Sequence, residues 1–224
     1  MTRPIKPFRT EFRSILAIAG PMGLSQFAQM LMGLTDDVLL GSLGASALAI
    51  GGLATGTFFT LTAILAAVIE AGGILLAQAR GRQDHAVLGT IITSMLLVAV
   101  VLCVPELFCL AHVDTLLAWM NEPQAIRAPV ADFVRILMWA VPPALLGQGI
   151  LTTALPVMGA QGILMRVTPC ITVINGLFNA TLIHGWFGLP ALGLHGSAIA
   201  TVITLWCICL LYTSPSPRDP KTAR

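Results

Sequence analysis

Acidic side chains interrupt the otherwise apolar stretches of this sequence at a few positions. Asp36 and Asp37 lie near the end of one such stretch, and Glu70 lies within the next. An ionisable group in membrane hydrocarbon costs roughly 2.5–3.5 kcal/mol on insertion scales, so these carboxylates are the first candidates for function. Consecutive helical residues point about 100° apart, so we expect at most one of the two aspartates to face a central cavity. The alternative is that both simply end the first helix near the lipid headgroups.

Two asparagines with helical spacing are the second candidates. Asn175 and Asn179 are four residues apart and project from the same face of a helix. Their carbonyl oxygens can help bind a cation, and their NH2 groups can donate hydrogen bonds to a carboxylate across the bundle. A purely structural hydrogen bond between helices is the alternative.

The remaining ionisable groups have local interpretations. Glu70 needs either a packed hydrogen bond to another helix or a role linked to its protonation. Asp132 and Arg135 are three residues apart, which predicts a local ion pair. Glu106 follows Pro105 near a predicted helix end, and we interpret it as interfacial rather than functional.

The sequence shows no pattern typical of an enzyme. The four histidines form no i, i+4 ligand pair, and the five cysteines match no zinc or disulfide framework. We expect no catalytic residue, no cofactor and no metal, apart from a cation that Asp36, Asn175 and Asn179 could hold. The small net charge of +2 does not point to nucleic acid.

The composition predicts which elements position these side chains. Of the 224 residues, 56% are hydrophobic and only 10% are charged, and the mean hydropathy is +0.88. Soluble domains carry roughly 25% charged residues, because their surfaces face water. The sequence therefore predicts an all-α membrane protein whose main partner is the lipid bilayer.

A helix needs about 20 apolar residues to cross a bilayer, and six stretches qualify. They run over about residues 14–43, 46–79, 86–110, 129–153, 163–186 and 197–212. The second is too long for one perpendicular crossing, so we expect it to tilt or to extend into the cytoplasm. Pro21 in the first stretch and Pro142-Pro143 in the fourth predict bends.

The segments at the two ends differ in composition from this six-helix lobe, residues 14–211. Residues 1–13 form a basic N-terminus, and residues 212–224 form a polar, Pro-rich tail that is either a cytoplasmic tail or non-native read-through. Lys and Arg are strongly asymmetric between the two sides of the predicted topology, which predicts that both termini are cytoplasmic in a cell membrane, the inner one in bacteria. Ten lie on one side (Arg3, Lys6, Arg9, Arg13, Arg80, Arg82, Arg166, Arg218, Lys221, Arg224) and two on the other (Arg127, Arg135).

Three segments resemble the N-terminal half of a multidrug and toxic compound extrusion (MATE) transporter. The first helix, GPMGLSQFAQMLMGLTDDVLLGSLG, carries Pro21, Gln29 and Asp36 in the places of the family's proline, glutamine and aspartate. The second helix ends in LLAQARGRQD. The most specific match is NGLFNATLIHGWFGLPALGLHGSAIAT, which includes Asn175 and Asn179. The resemblance covers roughly residues 15–211; Asp37 departs from it, since the family usually has a neutral residue there.

This resemblance implies one six-helix lobe of a twelve-helix antiporter that exports cationic, often aromatic, drugs in exchange for Na+ or H+. It places Asp36, Asn175 and Asn179 in the polar cluster of that lobe, with Asp37, Glu70 and Gln29 as secondary candidates. The second lobe is absent from the 224 residues, so the expected partner is a C-terminal lobe or a second copy.

The chemistry of exchange can also be argued from the residues themselves. Desolvation disfavours the charged form of a carboxylate, whereas an approaching cation favours it. A proton and a cation would thus compete for Asp36, with Asn175 and Asn179 orienting it and a bend near Pro21 coupling its occupancy to the shape of the lobe. The alternatives are a flippase for lipid-linked glycans, whose cavity would need cations for pyrophosphate, and an inactive half-length scaffold.

Overall fold

The computed structural model describes residues 8–213, which are almost entirely helical and include no β-strand. The eight α-helices in this range are α1 (Phe8–Gly41), α2 (Ala45–Gly81), α3 (His85–Ala111), α4 (Val113–Trp119), α5 (Gln124–Leu137), α6 (Ile150–Val157), α7 (Gln161–His184) and α8 (Leu194–Thr213). Residues 1–7 and 214–224, which hold most of the predicted N-terminal segment and tail, lie outside the described residues. From Phe8 onward, the segment predicted as a basic N-terminus is already helical.

The six predicted crossings correspond to α1, α2, α3, the pair α5–α6, α7 and α8. Four of these helices are long and apolar enough to cross a membrane: α2, α3, α7 and residues 194–211 of α8. The α5–α6 pair qualifies as a fifth, bent by 49°. Within the described residues, α1 is not among the helices that are long and apolar enough by these criteria, although its 34 residues give it a length of about 50 Å.

The fourth predicted helix is broken where the sequence predicted a break. α5 gives way to a 3-10 turn at Met138–Ala140 and then to a π-helical segment, Pro143–Gly149, before α6 begins. Proline has no N–H to donate and its ring crowds the preceding turn, so two in succession disrupt the α-helical hydrogen-bond pattern. Pro21, in contrast, lies inside a continuous α1, and a bend there remains a prediction.

The residues between the third and fourth predicted crossings are partly helical. Within residues 112–128, α4 occupies Val113–Trp119, and α5 begins at Gln124 rather than 129. Val113 and Leu117, four residues apart, are both buried and hold α4 against the core. The polar residues between them masked this short apolar repeat.

The main core lies between α2, α3, α5 and the π-helical segment, around Phe58, Phe133 and Leu137. Large apolar side chains cover much of the outer surface, as they do on lipid-facing helices. Close approaches depend on small residues. A Cβ at Gly147 would lie 2.8 Å from the Cβ of Cys209, so the π-helical segment packs directly on α8.

Candidate functional site

α1 and α7 lie side by side and are joined by polar contacts along their length. The Ser25 hydroxyl contacts the Thr168 hydroxyl at 3.5 Å, and the Thr172 hydroxyl donates to the Ala28 carbonyl at 3.1 Å. The contacts on both helices advance in the same direction, so the two helices are parallel. This register carries α1 forward to Asp36 where α7 reaches Asn179.

Asp36 and Asn179 are in direct contact. The Asn179 Nδ2 donates to Asp36 Oδ1 at 2.8 Å, a length typical of a hydrogen bond to a charged acceptor. Asp36 is half-buried in the bundle, whereas Asp37 is exposed. Of the two adjacent acids, therefore, only Asp36 faces the other helices.

A second hydrogen-bonded step links this pair to α8. The Nδ2 of Asn179 also lies 3.2 Å from Oδ1 of Asn175, and the Asn175 Nδ2 donates to the Thr204 hydroxyl at 3.0 Å. Thr204 in turn donates to the Ala200 carbonyl at 2.7 Å. Asn175 and Asn179 are fully buried, so the structure brings all three primary candidates together where α1, α7 and α8 meet.

One acceptor in this cluster has no donor. The Oδ1 of Asn179 is buried and has no hydrogen-bond partner among the described residues. An unpaired buried carbonyl is costly, so its presence beside a carboxylate calls for a proton donor or a cation. Carboxylate and carbonyl oxygens are ligands that suit hard cations. The described part of the chain has no group of three or more His, Cys, Asp or Glu side chains that could hold a metal ion, and this cluster is not such a group either.

The secondary candidates are dispersed. Gln29 accepts a 3.4 Å hydrogen bond from Gln148 of the π-helical segment and does not contact Asp36. Glu70 is exposed on α2 and has no hydrogen-bond partner among the described residues, so the predicted packed bond to another helix is not found. The predicted ion pair is present, with 2.9 Å between Arg135 Nη1 and Asp132 Oδ1.

The interpretation of Glu106 as interfacial is wrong. Its side chain is 1% exposed, and its Oε1 lies 2.5 Å from the Thr62 hydroxyl of α2. α3 runs through Pro105 to Ala111, close to the predicted end at about residue 110, but the face that packs on α2 carries Glu106 inward. A proline within a long membrane helix need not terminate it.

Sequence reasoning also missed the hydroxyl side chains of α8. Ser197, Thr201 and Thr204 follow an i, i+4, i+7 pattern and are all buried. This period marks one helix face turned to the interior. Applied to the last apolar stretch, it would have identified Thr204 as a partner for the asparagines.

Comparison with known proteins shows the family to which the chain belongs. The MatE family profile matches residues 21–181. A probable multidrug resistance protein NorM of Burkholderia mallei is 38% identical over 189 residues, which are 84% of this chain and 40% of that protein. The chain thus spans less than half the length of this curated relative. The multidrug names of such relatives do not favour the flippase alternative.

The fold also matches solved structures. A multidrug resistance MATE family transporter of the MOP superfamily in an outward-facing conformation superposes with a TM-score of 0.78 at 20% identity, covering 88% of this chain and 43% of that one. A crystal structure of MATE in the bent conformation gives 0.76 at 19% identity, covering 91% and 48%. With the profile matching most of its length, this chain belongs to the MatE family of membrane transporters.

Proposed function

We propose that this chain forms one lobe of an antiporter that exports cationic drugs or toxic organic compounds in exchange for Na+ or H+. The observation that carries the proposal is the contact between Asp36 and the buried amide of Asn179, beside a carbonyl oxygen that lacks a donor. The lobe acts in a bilayer together with a C-terminal lobe or a second copy of the chain. It needs no resident cofactor and catalyses no covalent reaction.

The exchange depends on mutually exclusive occupancy of Asp36. An ionised Asp36 accepts the hydrogen bond from Asn179 and offers its second oxygen, with the free Asn179 carbonyl, to a cation. A protonated Asp36 instead donates to an amide oxygen, which the Asn179 side chain can present by rotating its terminal group. Proton and cation thus favour different arrangements of the same two side chains.

Helix α1 couples the occupancy of Asp36 to the conformation of the lobe. Asp36 lies on α1, and its main partner lies on α7, so a change in their bond alters the attraction between these parallel helices. Pro21 lies in the same helix and removes one backbone donor there, which lowers the cost of bending α1. A ligand shifts such an equilibrium only by its differential affinity for the two shapes.

The proposal is tested by Asp36→Asn in a full-length version that supplies a second lobe. Efflux driven by a pH or Na+ gradient should fall to the level of cells without the protein, at unchanged expression. Asp37→Asn is the matched control, since Asp37 is exposed on the same turn, and it should keep transport. Persisting gradient-driven efflux in the Asp36→Asn protein contradicts the proposal.

A cationic cargo agrees with the distribution of charge better than an anionic one. Among the described residues, no Lys or Arg is fully buried, so the inside of the lobe lacks the cations that a lipid pyrophosphate would need. An inactive half-length scaffold is the remaining alternative. It is separated from the proposal by testing whether the chain, expressed with a second lobe, lowers drug accumulation in cells.

A further inference from the structure

A second buried carboxyl lies away from the Asp36 cluster, between α2 and α3. Glu106 Oε1 is 2.5 Å from the Thr62 hydroxyl oxygen, and that same oxygen is 2.9 Å from the Phe58 carbonyl of its own helix. The second carboxyl oxygen, Oε2, is buried and has no partner. None of these groups takes part in the exchange proposed above.

The number of hydrogens in this contact constrains the state of Glu106. The Thr62 hydroxyl has one hydrogen but two oxygen neighbours at hydrogen-bond distance, and the Phe58 carbonyl can only accept. If Thr62 donates to Phe58, the hydrogen between Thr62 and Glu106 must come from the carboxyl group. An ionised Glu106 would leave one of these two oxygen–oxygen contacts without a hydrogen.

The surroundings of Oε2 lead to the same conclusion. A buried carboxylate oxygen without donor or counterion is costly, whereas the carbonyl oxygen of a neutral acid tolerates the same place far better. The two ion pairs found among the described residues join Asp114 to Arg127 and Asp132 to Arg135, and neither includes Glu106.

No other charge reaches Glu106 from the elements that pack on α3, which are α2, α4, α5 and the two segments at the proline break. Their titratable and charged side chains are Glu70 and Arg80 of α2, which are exposed, and the four members of the two ion pairs. On α3 itself, His85 is exposed at the far end, and the thiols of Cys103 and Cys109 each lie three residues from Glu106.

We propose that Glu106 is a second proton-binding site of the lobe, occupied by a resident proton that it donates to the Thr62 hydroxyl. The resulting relay runs from Glu106 to Thr62 to the Phe58 carbonyl, and each of its two oxygen–oxygen contacts contains a hydrogen. It stabilises the packing of α3 on α2. It makes the packing of these two helices independent of pH while Asp36 exchanges its ligands. Glu106 is a positioning residue and does not touch the transported ions.

Infrared spectroscopy tests the proton directly, because a protonated carboxyl and a carboxylate absorb at different frequencies. The 224-residue chain, labelled with carboxyl-13C glutamate and reconstituted in lipid nanodiscs, is compared with Glu106→Gln at pH 7. Exposed glutamates ionise near pH 4.3, about three units lower. We expect the parental spectrum to contain a carboxylic acid band that Glu106→Gln lacks, and Asp36→Asn to retain it. No difference between parent and Glu106→Gln in this band overturns the proposal.

Variants of Thr62 test where the proton points, without removing the acid. Thr62→Val should shift the frequency of the Glu106 band, since it removes the acceptor, and Thr62→Ser should restore the parental position. Thr57→Val is the matched control, because Thr57 makes the same bond to its own helix, 2.8 Å to the Leu53 carbonyl. It should leave the band unmoved. If the frequency of the Glu106 band is the same in Thr62→Val as in the parent, the relay is refuted.

Discussion

The two carboxyl sites inside this helical bundle use the same functional group with opposite partners. Asp36 faces an amide NH2, which can only donate to it, and lies where three helices meet. Glu106 faces a hydroxyl whose own hydrogen has a second acceptor, and lies between two helices. The first arrangement favours an ionised carboxylate that can bind a cation, and the second favours a protonated, neutral carboxyl group.

The difference in enclosure reinforces the difference in chemistry. Asp36 is half-buried, whereas Glu106 is 1% exposed in a core of large apolar side chains. A site that must exchange its ligand needs a path to water, and a site that holds one proton permanently does not. Burial of an acidic side chain in a membrane protein is therefore not enough to assign it a role in ion coupling. The hydrogen-bond donors and acceptors around it determine whether it holds a proton or exchanges a cation.

The largest expected effect is a contrast in transport between the two acids. Asp36→Asn should abolish gradient-driven efflux in a protein with two lobes, because the exchangeable charge is gone. Glu106→Gln should retain most of the parental rate, since the amide NH2 can replace the acid hydrogen toward Thr62. Drug efflux from loaded vesicles under an imposed pH or Na+ gradient measures both. Equal losses of efflux in Asp36→Asn and Glu106→Gln would contradict the different roles given to the two acids.

A second contrast isolates the donor to Asp36. Asn179→Ala removes a hydrogen bond to a charged group, which costs about 1.5–3 kcal/mol, so efflux at limiting driving-ion concentration should fall about 10- to 100-fold. Thr172→Val is the control, because its hydroxyl also joins α7 to α1 but bonds to a backbone carbonyl. Dose–response curves for the driving ion measure the difference. If both substitutions weaken the ion response equally, helix packing rather than the donor is responsible.

The sequence predicted the Asp36 site better than the Glu106 site, for a physical reason. Asn175 and Asn179 share a helix face by their spacing alone, and a carboxylate in another apolar stretch is an obvious partner. The 2.8 Å contact across 143 positions needed the structure, because spacing within one helix does not fix which helices are neighbours.

The helices themselves were predictable to within a few residues, except around the fourth. The pattern of apolar stretches located α2, α3, α7 and α8, and two adjacent prolines located the break between α5 and α6. Local signals were misleading in two places. The closeness of Glu106 to a predicted helix end suggested an interfacial position, whereas the side chain is buried, and the polar residues of 112–128 hid α4. In both, tertiary packing of apolar neighbours outweighed the local preference.

The junction of α7 with α8 offers a way to disturb one site and leave the other. A Cβ at Gly196 would lie 2.6 Å from the backbone of Leu182, so Gly196→Ala must push α8 from α7 and should destabilise the fold by about 1–3 kcal/mol. Gly162→Ala is the control, since nothing lies within 4 Å of the added atom. Thermal unfolding measures both, and the carboxylic acid band of Glu106 should persist in both. Loss of that band in Gly196→Ala would show that the two sites are not independent.

The smallest expected effect concerns the outermost bond of the Asp36 cluster. Thr204→Val removes the acceptor of Asn175 Nδ2, and hydrogen bonds between membrane helices are worth about 0.6–1.7 kcal/mol. Thr201→Val removes only a bond to the Ser197 carbonyl of the same helix, so it should change stability by less. Unfolding of both variants in one detergent, followed by circular dichroism, measures the difference. Because both threonines are buried on the same face of α8, equal stability losses would mean that Asn175 is held by packing and not by Thr204.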